Sequence, residues 1–206
     1  SATNYECYKG IYSAFNSMNL FEIVHSLLRQ FGPEQWTLYK GKHLLSFVDN
    51  HDVTRIATIL NNPAHLKLVY GMLMGMPGIP SIYYGSEWGI RGNKSDGDPA
   101  LRPAVDHPEW NELTDVVAMM VNARQNSKAL NYGDFKSLVL TNRQCVFERN
   151  CDDSRVMVAI NADENPYTAH FDARAGRARD LITGAEIDFG GGLDIPGYTV
   201  YFLEPF

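Results

Sequence analysis

Asp49, Asn50, His51 and Asp52 are consecutive, so one short stretch offers two carboxylates, an amide and an imidazole. Carboxyl and imidazole side chains are the usual carriers of protons in enzyme sites, and they also grip hydroxyl-bearing substrates. Further along, Asp98 and Arg102 add an acid and a base four residues apart. Plainer readings exist for both groups. Asp and Asn are ordinary turn and N-cap residues, so Asp49 or Asp52 could simply start the helix that follows. Asp98 and Arg102 could be a loop salt bridge.

Chemistry at these positions requires elements that hold them. Leu44 to Val48 is a short apolar run bounded by polar residues, the pattern of a buried strand with no solvent face, and Val53 to Leu60 continues with helical spacing. A buried parallel strand that ends in a polar cluster and feeds a helix is the geometry in which barrel enzymes place their chemistry. Upstream, Asn19-Leu20-Phe21-Glu22 has the form of a capping box. Leu20, Ile23, Val24, Leu27, Leu28 and Phe31 then recur at helical spacing until Gly32-Pro33. Downstream, Pro63 suits a first helical turn, and Leu66, Val69, Tyr70, Leu73 and Met76 predict a helix packed on a sheet. Ile79 to Tyr84 reads as the next strand, regular only in its later part because of Pro80, with Gly85 turning the chain out of it. Gly89 to Pro103 is a long loop rich in Gly, Asp and Pro, of the kind that carries function. Asp106 to Glu109 offers a cap-like start for a last helix through Trp110, Leu113, Val117, Met120, Val121 and Arg124, with Trp110 expected in the core.

From Phe135 the period changes to short β-type runs: 135–140, 144–148, 155–160, 167–171, 179–182 and 198–203. They are separated by Asn, Asp and Gly clusters, as in an antiparallel β-sandwich. Asn131-Tyr132-Gly133-Asp134 marks the junction. The fold class is therefore α/β followed by all-β. The 206 residues, 45% hydrophobic and 20% charged, describe an ordinary globular balance for one or two domains. No apolar run approaches the roughly 20 residues of a membrane helix, so no membrane partner is expected. A net charge of −6 argues against nucleic acid and suits a neutral ligand such as a sugar. Cys7, Cys145 and Cys151 have neither disulfide nor zinc spacing. The opening Ser1-Ala2-Thr3 lacks a methionine and the regions of a signal peptide, which suggests a cut within a longer protein.

Phe47-Val48-Asp49-Asn50-His51-Asp52 resembles the fourth conserved region of the α-amylase family (glycoside hydrolase family 13), which ends the seventh strand of a (β/α)8 barrel. Gly75 to Gly89, with Ile82-Tyr83-Tyr84-Gly85-Ser86-Glu87, resembles the family's eighth strand and its loop. Asp98-Pro99-Ala100-Leu101-Arg102 resembles the D-P-x-x-R segment that contacts sugar on the non-reducing side of the cleavage point. The resemblance implies a partial (β/α)8 TIM barrel over residues 1–130, with strands six to eight and their helices, followed by the β-sandwich called domain C over 131–206. Asn4 to Tyr8 would be strand six.

By that resemblance the parent protein is a retaining glycoside hydrolase or transglycosidase acting on α-1,4-glucosidic bonds of starch or maltodextrin. Asp52 would be the carboxylate that stabilises the transition state and His51 its companion. Asp98 and Arg102 would bind substrate, and Trp88 is the best of the three tryptophans for stacking on a sugar. No segment resembles the nucleophile or general-acid motifs, so the chain alone is expected to be inactive. No cofactor is expected; calcium, common in the family, would be held by other parts of the barrel. Open barrel edges predict either a homodimer or rearrangement into a small open sheet. The alternative is a non-catalytic carbohydrate-binding or structural module that uses Tyr167, Phe171 and Tyr198.

Overall fold

The structure, a computed structural model, describes residues 2–206. Two helices, α1 (Tyr5–Asn16) and α2 (Phe21–Phe31), lead to the strand β1 (Leu45–Phe47). The short α3 (Ile56–Ile59), α4 (Leu66–Gly75) and β2 (Ile79–Ser81) follow, then α5 (Asp98–Leu101), α6 (Glu112–Gln125) and α7 (Lys128–Tyr132). β1 and β2 pair in parallel, Leu45 with Ile79 and Phe47 with Ser81.

Several expectations require correction here. Asn4 to Tyr8 is not a strand but the start of α1. The Asn4 side chain accepts the Cys7 N–H at 3.0 Å, and Cys7, Ile11, Ala14 and Phe15 bury one face. A good cap and an amphipathic repeat outweigh the β-type composition of those five residues. Of the sixth strand only a parallel bridge from Thr3 to Leu45 remains. The capping box at Asn19 does not form: α2 begins at Phe21 without a side-chain cap, and Glu22 instead accepts the Ser13 hydroxyl of α1 at 2.8 Å. In β2 it is the earlier part that is regular. Pro80 lies on an edge unpaired among the described residues, where its missing N–H costs no ladder bond. Nor is β1 wholly buried, since Leu45 and its partner Ile79 are 37% and 46% exposed.

The remaining strands are β3 (Lys136–Leu140), β4 (Gln144–Cys151), β5 (Ser154–Asn161), β6 (Tyr167–Ala169), β7 (Arg177–Asp180), β8 (Glu186–Asp188), β9 (Leu193–Ile195) and β10 (Thr199–Pro205). Six form an antiparallel sheet in the order β3-β4-β5-β10-β7-β8, and β6 pairs with β9. Alternation of side chains gives the large sheet two buried faces. Cys145, Phe147, Val156, Val158, Ile160 and Phe202 join the core built by α1, α2, α4 and α6. Val146, Met157, Ala159 and Leu203 face a second core with Ala169, Leu193 and Ile195 of the two-stranded sheet. β8 and β9, at three residues each, are too short for a period to reveal them.

Helix α4 is the joint between the two halves. Its residues from Leu68 to Gly75 are all buried. A Cβ built on Gly75 would lie 2.9 Å from both methyls of Val158, and one on Gly71 would lie 2.7 Å from Val200. Valine is stiff at χ1 and cannot easily yield. Alanine gains up to about 1 kcal/mol of helix propensity over glycine, but overpacking typically costs about 1–3 kcal/mol. Gly75→Ala is therefore expected to destabilise the protein in urea denaturation. A stabilised variant would contradict this close helix–sheet contact.

Candidate active site

The C-terminal end of β1 delivers Asp49, which is 1% exposed. Its carboxylate accepts the Ile56 N–H at 2.8 Å and the Ser86 hydroxyl at 2.7 Å. Asp49 is thus not the N-cap of α3, which is Arg55, but bonds the N–H of its first residue, Ile56, from seven residues upstream. Burial pushes its carboxyl up, and these two donors pull it back.

Arg55 is the residue on which the local structure turns. Its place one helical turn after His51-Asp52 suits either a pair with a carboxylate there or an exposed helix position, but it is fully buried and forms no salt bridge among the described residues. Its guanidinium donates to the carbonyls of Tyr84 (2.7 Å) and Leu101 (2.8 Å) and to the Ser86 hydroxyl (3.0 Å). It lies over the Tyr83 ring, 4.1 Å from the centroid, and its own N–H donates to the Gly92 carbonyl. The loop after β1 is thereby tied to the loop after β2. Gly85 and Gly89, both at φ +85°, give the backbone the left-handed turns that bracket Ser86.

This scaffold sets Leu101 in place, and with it Arg102. Arg102 donates to the Asp52 carboxylate at 3.0 Å and to the His51 carbonyl at 3.2 Å, and lies 3.7 Å from Asp98. The His51 imidazole is 3.2 Å from the other Asp52 oxygen. Asp52 does not cap a helix: its N–H donates to the Asn50 side chain at 2.8 Å, and its carboxylate is half exposed. His51, Asp52, Asp98 and Arg102 therefore meet in one open group at the strand ends. Such a group can bind neighbouring hydroxyls in both senses, the carboxylates accepting and the guanidinium donating.

The structure does not bring Trp88 into this group. Trp88 lines a separate depression with Val105, Asp106 and His107, and its carbonyl accepts from Asn111, the N-cap of α6. Trp110, expected in the core, is 71% exposed. Helix α6 starts two residues after it, which leaves its indole outside the helical stripe and donating to Asp115 at 2.7 Å. In the antiparallel half, Tyr167 and Phe171 pack against the second core and Tyr198 against the first.

Residues 7–167 match the family described as alpha amylase, catalytic domain. The chain belongs to the alpha-amylase family. This alpha-amylase-family chain is 29% identical over 152 residues to a cyclomaltodextrin glucanotransferase of Niallia circulans, a match covering 72% of it and 20% of that protein. An alpha-amylase of the same organism is 27% identical over 124 residues, covering 60% and 23%. Among solved structures, the cyclomaltodextrin glucanotransferase CldA superposes with a TM-score of 0.83 at 24% identity, over 99% of this chain and 44% of that one. The alpha-amylase of Geobacillus thermoleovorans, complexed with acarbose, gives 0.83 at 23% identity over 98% and 47%. At these identities the superpositions speak for the fold. The chain spans about one-fifth of the length of the curated relatives it matches.

Proposed function

We propose that this chain supplies the sugar-gripping part of the active site of a retaining glycosidase or transglycosidase acting on α-1,4-linked glucans. The observation that carries this reading is the convergence of His51, Asp52 and Asp98 on Arg102 from two separate loops. In this reading Asp52 and His51 hold hydroxyls of the sugar at the cleaved bond, in hydrogen bonds that tighten as the ring flattens toward the oxocarbenium-like transition state. Asp98 and Arg102 hold the next sugars on the non-reducing side, with Trp88 as an outlying contact. The relatives named above, glucanotransferases and amylases, support an α-glucan as the substrate.

Retaining hydrolysis needs a nucleophile and an acid on opposite sides of the bond, about 5–5.5 Å apart. Asp49 is engaged with Ile56 and Ser86, and Asp98 shares Arg102 with Asp52, so neither is free for those roles. On this account the two further carboxyl groups come from other barrel strands of a longer protein. Residues 1–130 form the barrel part and 131–206 domain C. The chain alone is expected to release no reducing sugar from soluble starch or maltoheptaose, whereas the full product of its gene releases sugar with the α-anomer retained. Hydrolysis by the isolated chain, or inversion by the full product, would contradict the reading.

Leu45, Ile79 and Tyr5 leave apolar surface uncovered beside an open sheet edge. Exposed edges of this kind pair readily. Alone, the chain is expected to dimerise through them in light scattering, and a monodisperse monomer that binds no hydrophobic dye would contradict that.

A further inference from the structure

A cavity of about 300 Å³ opens at the end of the parallel strands opposite Asp52. Its lining includes His43, just before β1, and Pro77 and Gly78, just before β2, while the candidate active site follows those strands. The wall is cationic. Arg149 reaches it from beneath, 1% exposed, and gives its donors to backbone carbonyls alone: Gly75 (2.7 Å), Leu130 (3.1 Å), Gly133 (2.8 Å) and Asp134 (2.8 Å). Among the described residues it forms no ion pair, and burial with the nearby Arg124 pushes its guanidinium down to about 9.

Lys40, Lys42 and His43 stand exposed at the rim. Lys40 spends one donor on the Pro33 carbonyl, and among the described residues neither lysine forms a salt bridge. Against Lys40, Lys42 and Arg149 the lining sets one carboxylate, Asp134, whose Oδ1 already accepts the Asn150 N–H at 3.0 Å. Clamping the end of α4 accounts for the carbonyl bonds of Arg149. It does not account for two lysines and a histidine that line the same cavity. A concave wall with an excess of positive charge concentrates anions. The exposed Tyr132 ring stands edge-on to the His43 ring, centroids 6.0 Å apart, and adds a flat surface at the mouth.

We propose that this cavity binds a sugar phosphate, with the phosphate between Lys40 and Lys42 above Arg149 and the ring resting on Tyr132. The volume equals about ten waters at roughly 30 Å³ each, room for one phosphate and one hexose. The site is independent of the glucan-binding group and lies at the other end of the sheet.

Isothermal titration of this chain with glucose 1-phosphate, inorganic phosphate and glucose tests it. The expected result is one saturable site for glucose 1-phosphate, about tenfold tighter than for inorganic phosphate, with no binding of glucose. Lys40→Glu with Lys42→Glu, both exposed and compatible with folding, is expected to weaken the ester more than about tenfold. Tyr132→Ala is expected to weaken the ester and leave inorganic phosphate unchanged, and prior addition of maltoheptaose to change nothing. No saturation up to about 10 mM, equal affinity for ester and inorganic phosphate, competition by maltoheptaose, or a double lysine variant that binds as well would each overturn the proposal.

Discussion

Replacing Arg55 with methionine is expected to cost about 3–5 kcal/mol of stability, the range found when one partner of a buried charge network is removed. The substitution strips donors from the Tyr84 and Leu101 carbonyls and from Ser86 in a site closed to water. It also leaves the buried Asp49 carboxylate without the cation that shares Ser86 with it. Arg55→Lys keeps the charge but loses the planar fork that spans three acceptors, so its loss should be intermediate. Urea denaturation at constant m-value measures both. A loss below about 1 kcal/mol for the methionine variant, the size of one ordinary hydrogen bond, would show that the two loops are held by other contacts.

In the longer enzyme proposed above, Asp52→Asn is expected to lower kcat by about 10²–10³, the usual effect of removing one group aimed at the transition state, which is the role proposed for Asp52. KM should change much less, because the bonds from Asp52 strengthen as the sugar ring distorts rather than when it first binds. Arg102→Met should behave differently. Its guanidinium touches Asp52, His51 and Asp98 together, so its removal loosens substrate binding as well and raises KM. Steady-state rates on maltoheptaose separate the two patterns. Equal and small effects on kcat and KM in Asp52→Asn would contradict a transition-state role.

The open site was more legible in the sequence than the frame that holds it. The polar stretch from Asp49 to Asp52 at the end of an apolar run fits turn chemistry equally well, and it is the resemblance to the alpha-amylase family that singles out His51, Asp52, Asp98 and Arg102. The anchoring role of Arg55 and Ser86 is not legible because nothing local distinguishes them, Arg55 suiting a carboxylate partner and an exposed helix position equally. An arginine one turn into a helical pattern reads as solvated, and only the return of the chain through Gly85 to Leu101 buries it. Asn4 to Tyr8 was misread because five residues cannot separate period 2 from period 3.6, whereas burial of Ile11, Ala14 and Phe15 decides for a helix. Trp110 was misassigned through an error of a few residues in the start of α6. In the antiparallel half, β5 reads as a continuous apolar run from Val156 to Ile160, the pattern of a strand buried on both faces. What covers the two faces, the helices on one side and the β6–β9 pair on the other, is not encoded in any strand's own pattern.

The central claim is that an α-glucan binds at the open ends of the parallel strands. Ligand-observed NMR titration of maltoheptaose into this chain and into Asp52→Ala and Arg102→Ala tests it most directly. Saturable binding by the unaltered chain that is lost in both variants is the predicted result. Binding that survives both substitutions would contradict the claim and transfer sugar recognition to the antiparallel half.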